Sequence, residues 1–196
     1  MAETLQTLKG AWKAPELRKK LLFTLLILLI YRLGNAVPVP YVNVEALSEY
    51  FRTTLNDTVL GLYNAMSGSA FSQATVFALS INPYINSSII MQLLCIGIPA
   101  LERLQKDGGE EGRKKIASIT RYVTVALALL MGFAYYVMLR NYGMLTQSGF
   151  LTGLVIVLTF TAGSAFIMWL GEQITEFGIG NGISIILFAN IISRLP

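Results

Sequence analysis

The sequence predicts an all-α integral membrane protein with five transmembrane helices and one short re-entrant helix. Of its 196 residues, 54% are hydrophobic and 13% are charged, and soluble domains carry about twice that charged fraction, roughly 25%. Long apolar runs alternate with short charged or glycine-rich stretches, as expected of a chain that crosses a bilayer repeatedly. The net charge of +4 comes from Lys and Arg gathered into clusters, which indicates membrane orientation rather than nucleic-acid binding.

The first predicted membrane helix covers residues 17–34 and follows a basic, amphipathic start at 1–20. A basic start and an apolar run are also typical of a cleaved signal peptide. However, the basic region is long, no small-residue cleavage site follows it, and further membrane segments come later. An uncleaved helix is therefore favoured, with Pro15 marking the break before it and Arg32 reaching back to the interface.

Residues 35–58 form a predicted polar loop on the outer side, and residues 59–77 form a different kind of segment. This second stretch is rich in Gly, Ser and Ala and is too interrupted to span a membrane as a helix. Its apolar residues could form one or two helical turns that end at Gly68. An ordinary surface loop is one interpretation, but so apolar a loop favours a re-entrant segment held in a protein pocket.

The second predicted membrane helix covers residues 83–101. Pro83 suits a first helical turn, and Ser80 or Asn82 is available as its cap. The stretch 78–94, which contains the start of this helix, carries five polar side chains, too many for a lipid-facing surface: Asn82, Asn86, Ser87, Ser88 and Gln92. They are either hydrogen-bonded contacts between packed helices or the lining of a path for polar material.

A charged cytoplasmic loop at 102–115 precedes the third predicted membrane helix, residues 116–139. Its glycines indicate a turn, and it lacks the G-K-[ST] sequence of a phosphate-binding loop. The basic clusters at 9–20 and 103–121 are separated by two crossings, so they lie on the same side of the membrane. That side, and with it the amino terminus, is predicted to be cytoplasmic.

The fourth predicted membrane helix covers residues 150–170, and the fifth covers 183–195. Small residues in the fourth helix suit close contact with other helices: Gly153, Gly163, Ser164 and Ala165. The cytoplasmic turn at 172–182 contains G-I-G-N-G, in which Asn181 is expected to cap the fifth helix.

No catalytic set, metal site or cofactor site is predicted. The chain has no histidine and a single cysteine, Cys95, which lies in an apolar run. Glu172 and Glu176 stand four residues apart at a membrane edge, and this spacing is typical of a solvated helix face. The protein is therefore not expected to be an enzyme.

Three motifs carry a resemblance to a known family. They are I-N-P-Y-I-N-S-S-I-I-M-Q-L-L at 81–94, D-G-G-E-E-G-R-K-K-I at 107–116 and W-L-G-E-Q-I-T-E-F-G-I-G-N-G-I-S-I-I-L-F-A at 169–189. Together they resemble SecY, the channel subunit of the bacterial protein translocon. That family has ten membrane helices in two five-helix halves, and this chain resembles the amino-terminal half.

The resemblance implies three functional elements. A pore ring of aliphatic side chains from the second and fifth helices would use Ile81, Ile85, Ile183 and Leu187. The plug segment, residues 59–77, would block the resting pore with a plug at about 60–71 that includes Leu62, Tyr63, Met66 and Gly68. A lateral gate face would comprise Asn86, Ile89 and Gln92.

The chain departs from the usual family pattern at two positions. Asn82 stands where a less polar residue is usual, and Phe177 stands where a basic residue is common. The resemblance therefore leaves open any contact that the basic side chain makes.

The implied function is passive conduction of unfolded polypeptide across, or sideways into, the cytoplasmic membrane. Implied partners are SecE- and SecG-like subunits, a SecA motor ATPase or a ribosome, signal peptides and the carboxy-terminal half of the channel. A second copy of this chain could imitate that half through a homodimer. The alternative is half of a secondary transporter with a broken-helix substrate site, while the missing histidine argues against an intramembrane enzyme.

Overall fold

A computed structural model describes residues 14–55, 57–147 and 149–193, and regular structure in these ranges is helical apart from two isolated β-bridges. In chain order the helices are α1 (Pro15–Asn35), α2 (Val44–Tyr50), a π-helical turn (Phe51–Leu55), α3 (Val59–Met66), α4 (Asn82–Gly97), α5 (Pro99–Lys106), α6 (Gly109–Asn141), α7 (Phe150–Phe177) and α8 (Gly182–Ile192). Residues 1–13 of the predicted basic start and 194–196 at the predicted end of the fifth helix lie outside the described ranges.

Within the described residues, two helices, α6 and α7, are long and apolar enough to cross a membrane, and α4 with α5 makes a third if this bent pair counts as one span. Helix α8 is apolar but has only 11 residues. Helix α1 begins at Pro15 in the first helical position, where the missing N–H costs least. The five-span count remains a prediction.

The predicted second helix, 83–101, starts one residue later than the observed helix α4 and ends beyond its break at Gly97. Asn82 is the first helical residue, and neither it nor Ser80 provides a side-chain cap. Helix α4 stops at Gly97 and α5 begins at Pro99, with a bend of 102° between the two helices. Ile98 is extended between them, because the proline ring disfavours a helical conformation in the residue before it.

The predicted cytoplasmic loop, 102–115, is largely helical. Helix α5 continues to Lys106, and α6 already begins at Gly109 rather than at residue 116. The reversal between them is confined to two residues, Asp107 and Gly108. It is tight because Gly112 lies directly against the Leu104 carbonyl, where any side chain would collide.

The predicted turn at 172–182 is shorter than expected, because α7 continues to Phe177. Helix α8 then begins at Gly182, and the predicted cap is confirmed: Asn181 Oδ1 accepts hydrogen bonds from the Ile183 and Ser184 N–H groups at 3.0 and 3.4 Å. The outer loop at 35–58 also contains unpredicted structure, namely α2 and the π-helical turn.

The core has two parts along α7. The first, named the aromatic cluster here, packs α7 and α6 against the outer loop and the plug segment; its aromatic members are Phe51, Phe71, Tyr135 and Phe160. The second, the aliphatic cluster, packs α7 against α1, α4 and α8; its aliphatic members are Ile27, Ile81, Ile167, Leu170, Ile174 and Ile186.

The small residues of α7 allow close approach, as the sequence predicts. A Cβ at Gly153 would lie 2.7 Å from Tyr136 Cζ, and one at Gly163 would collide with the Val76 carbonyl. Next to it, the Ser164 hydroxyl donates to the Ser80 carbonyl at 3.4 Å. These contacts hold the plug segment and the start of α4 against α7.

Candidate functional site

The four predicted pore-ring residues lie in or against the aliphatic cluster. Ile81 is a fully buried member, and Ile85, Ile183 and Leu187 are half-buried against it. A Cβ at Gly171 would lie 3.3 Å from Ile81 Cδ1 and 3.8 Å from Ile183 Cγ1. The N-terminal ends of α4 and α8 therefore both pack against Gly171 of α7.

Ile81 differs from the other three because its side chain is enclosed on all sides. In this conformation it packs the helices together, whereas the other pore-ring residues keep an open side. Branched aliphatic side chains bind polar groups weakly and can exclude water from a narrow passage.

The plug segment contacts α8 through its C-terminal turn. Helix α3 ends at Met66, and Gly68 follows in a left-handed conformation, with φ of 66°. A Cβ at Gly68 would lie 3.2 Å from Ser193 Oγ and 3.4 Å from the Asn190 carbonyl oxygen. Asn190 is three residues beyond Leu187, which is about 4.5 Å along a helix, so the turn lies within one helical turn of the pore ring.

The plug segment is attached to the core mainly through Phe71 and Tyr63. The Phe71 ring stacks on Tyr135 with a centroid separation of 4.4 Å, and the Tyr135 hydroxyl donates to the Phe71 carbonyl. The Tyr63 hydroxyl donates to the Leu79 carbonyl at 3.2 Å. By contrast, Val59 and Leu62 on α3 are 82% and 64% exposed. One face of the short helix is therefore open, while Tyr63 and Phe71 attach the segment to the core.

Helix α4 has two distinct faces. Ser87 and Met91 are buried against α6, and the Ser87 hydroxyl donates to the Thr120 carbonyl at 2.8 Å. The predicted gate face of Asn86, Ile89 and Gln92 is exposed. The interpretation as contacts between packed helices is confirmed for Ser87, whereas the path-lining role of the exposed gate face stays a prediction.

An ion pair that the sequence analysis did not predict lies at the Asn181 end of α7. Arg121 Nε of α6 donates to Glu172 Oε1 of α7 at 2.8 Å. The pair lines a polar cleft of about 520 Å³ that also includes Glu176 and Ile183. Its partners are 51 residues apart, so no local pattern indicates the pairing.

Phe177, one of the two departures from the family pattern, packs against α1. Its ring meets Phe23 edge-on with a centroid separation of 6.1 Å. The other departure, Asn82, is buried, and its Nδ2 has no hydrogen-bond partner among the described residues. The contact at residue 177 is therefore apolar in this chain.

Comparison with solved structures defines the class of protein. The fold resembles canine Sec61 in a ribosome–channel complex from the endoplasmic reticulum, with a TM-score of 0.62, 21% identity, and coverage of 88% of this chain and 36% of that one. It also resembles a SecY structure studied for the way its plug domain stabilises the closed channel, with a TM-score of 0.60, 22% identity, and coverage of 88% and 35%. The fold is that of the protein-conducting membrane channels.

Sequence comparison defines the family. The SecY family model matches residues 75–196. SecY of Streptomyces scabiei is 46% identical over 95% of this chain, SecY of Bacillus subtilis 44% over 97%, and SecY of Pseudomonas aeruginosa 47% over 92%. The chain belongs to the SecY family and is a multi-pass membrane protein.

The match covers 45%, 44% and 40% of those three relatives. The chain thus spans a little under half the length of the curated relatives it matches.

Proposed function

We propose that this chain forms one half of the wall of a protein-conducting channel, through which unfolded polypeptide crosses the cytoplasmic membrane or moves sideways into it. The observation that carries the proposal is the meeting of α4 and α8. Their pore-ring residues share the aliphatic cluster, and the plug segment contacts α8 within one turn of Leu187.

The chemistry of the pore ring fits a passive channel. A collar of Ile and Leu side chains offers no hydrogen bonds to a chain in transit and no charge to an ion. Water leaves such a constriction readily when it is empty, which opposes leakage. The plug segment would reinforce this seal in the resting state and leave it when a polypeptide enters.

The gate face of α4 fits sideways release. Asn86 and Gln92 are exposed polar side chains on a membrane helix, where lipid contact alone is unfavourable. A face that alternately meets water, a passing chain and lipid tolerates such a mixture. The missing opposing surface would come from the carboxy-terminal half of the channel, or from a second copy of this chain in its place.

The remaining assignments follow from family membership. The amino terminus and the α5–α6 reversal would be cytoplasmic, consistent with the basic residues at 103–121. SecE- and SecG-like subunits would surround the channel, and a SecA-type ATPase or a ribosome would supply the energy. The comparisons give the transporter alternative no support.

A reversible lock on the plug segment tests the proposal. Gly68→Cys and Ser193→Cys would place two thiols close to disulfide separation, because a Cβ at Gly68 lies 3.2 Å from Ser193 Oγ. Vesicles containing the channel assembled with its carboxy-terminal half would be given an energy source and a precursor protein. Oxidation should stop precursor transport, and a reductant should restore it.

The two single-cysteine variants are the matched controls, and their transport should not respond to oxidation. The native Cys95 is buried, so it should not react under the same conditions. Equal transport by the oxidised and reduced double variant, with disulfide formation confirmed by mass spectrometry, would contradict the proposed movement of the plug segment.

A further inference from the structure

A buried polar cluster lies where the plug segment, Ser80 and α8 meet, close to the proposed pore ring. Its central residue is Asn190, which is 1% exposed. The Asn190 Nδ2 donates to Ser80 Oγ at 3.3 Å. The other amide atom, Oδ1, has no partner among the described residues and would lie 3.4 Å from a Cβ at Gly68. The amide therefore holds Ser80 with one atom and faces the plug segment with the other.

Ser80 occupies a conformation that would suit glycine. It is fully buried and has φ of 52°, a left-handed conformation that is unfavourable for residues with a side chain. Strain of this kind persists where surrounding contacts enforce it, and such residues concentrate at functional sites. The Ser80 hydroxyl orients the Asn190 amide, while the Ser80 carbonyl accepts a bond from Ser164 of α7.

The contact between Gly68 and Asn190 is close but lacks a hydrogen bond to Oδ1. A buried acceptor without a donor loses its hydration and gains nothing in return. When the plug segment leaves α8, water can reach Oδ1 and this penalty disappears. The unpaired oxygen thus weakens the closed state relative to the open one.

We propose that Asn190 is a release residue for the plug segment, held in position by Ser80. Its unpaired amide oxygen keeps the plug segment readily displaceable, so that an arriving polypeptide needs to supply less energy to open the channel. The inference rests on the proposed function, since it requires that residues 59–77 act as a plug.

The test removes the polar pair without changing its size much. Ser80→Gly suits the left-handed backbone, and Asn190→Leu keeps a similar shape with no oxygen. In vesicles containing the assembled channel, the double variant should show about tenfold lower resting ion leak, the effect of removing one buried unpaired acceptor. Its thermal unfolding midpoint should stay equal or rise.

Three controls separate this role from simple packing. Ile186→Leu alters a buried residue of α8 one turn earlier, away from Gly68, and should not lower the leak. Ser80→Gly alone leaves the amide oxygen in place and should not lower it either. The Gly68→Cys and Ser193→Cys pair, once oxidised, shows how small the leak becomes when the plug segment cannot leave.

The outcomes distinguish the inference from the proposed function. If the oxidised lock changes neither leak nor transport, the plug role itself fails. If the lock reduces the leak but the double variant leaks as much as the unaltered channel, only the role of Asn190 is overturned. A leak that falls equally in Ser80→Gly alone would also overturn it, because the amide oxygen would not be responsible.

Discussion

The aromatic cluster and the aliphatic cluster lie along the same helix, α7, but they are built from different side chains. In the aromatic cluster, Phe71 meets Phe51, Tyr63 and Tyr135 with ring centroids 4.4 to 5.4 Å apart, and a tyrosine hydroxyl bonds the Phe71 carbonyl. The aliphatic cluster also contains a stacked aromatic pair, Tyr31 and Phe77, with ring centroids 5.5 Å apart. Around Ile81 and Ile186, however, it consists of branched aliphatic side chains, whose contacts have no preferred direction.

Under the proposed function, this difference would let one fold combine a fixed anchor with an adaptable passage. Aromatic pairs prefer particular orientations, and a buried hydroxyl must keep its acceptor, so the aromatic cluster has few alternative arrangements. Aliphatic contacts are weak individually and carry no preferred direction. A pore ring built from such contacts, as proposed, would reshape while Phe71 keeps the plug segment attached to α6.

The largest expected effect is the loss of the anchor. Phe71→Ala should destabilise the protein by about 3–5 kcal/mol, the usual cost of removing a buried phenylalanine ring. The measurement is the unfolding free energy or midpoint in detergent. Phe133→Ala is the control, because Phe133 is 58% exposed. Similar losses in both variants would show that the aromatic cluster is not a special anchor.

Substitutions in the proposed pore ring should have the opposite pattern: the resting ion leak should change more than the stability. Ile183 is half-buried, and Ile183→Asn places a polar amide in the collar, where it would favour water. Resting ion leak through the assembled channel should rise about tenfold as the apolar constriction hydrates. Ile183→Leu keeps the volume and should leave the leak unchanged. An unaltered leak in Ile183→Asn would remove Ile183 from the collar.

Much of the helical framework could be predicted from local sequence. The apolar runs at 116–139 and 150–170 lie within α6 and α7, and the Asn181 cap is correct. The break at Gly97–Pro99 had a local signal in its proline, but the apolar composition on both sides concealed it. Periodicity and composition thus located the helix interiors better than their ends.

The contacts that organise the site could not be predicted in the same way. Arg121 and Glu172 meet across 51 residues, and Asn190 reaches Ser80 across 110. Phe71 has no distinguishing feature in the sequence, yet it is the anchor of the plug segment. Such pairings depend on how helices cross, which a single sequence does not specify.

A smaller effect is expected on the packed face of α4. Ser87→Ala removes the hydroxyl that bonds the Thr120 carbonyl and should cost about 1 kcal/mol. The unfolding midpoint should fall slightly. The resting ion leak should stay constant, and so should the preference for precursors with intact over weakened signal sequences. Ser88→Ala, on the neighbouring and less buried position, is the matched control and should change the midpoint less. If Ser87→Ala changed the preference for intact over weakened signal sequences, the α4–α6 contact would have to move during gating.

Substitutions on the gate face should cause the smallest change in stability. They should change transport of precursors with weakened signal sequences by a few-fold. Asn86 and Gln92 are exposed, so Asn86→Leu and Gln92→Leu should alter stability by no more than about 0.5 kcal/mol. Both should favour the closed gate, because leucine gains from contact with lipid or an apolar partner whereas the amides gain from water.

The measurement is transport of precursors that carry intact or weakened signal sequences. The two leucine variants should reject weakened signals more strictly, and Leu93→Met, an exposed apolar exchange on the same helix, should not. Unchanged discrimination in both leucine variants would mean that the polar face of α4 only tolerates water and takes no part in gating. In that case the two faces of α4 would differ in packing alone, and selection of signal sequences would have to depend on other elements.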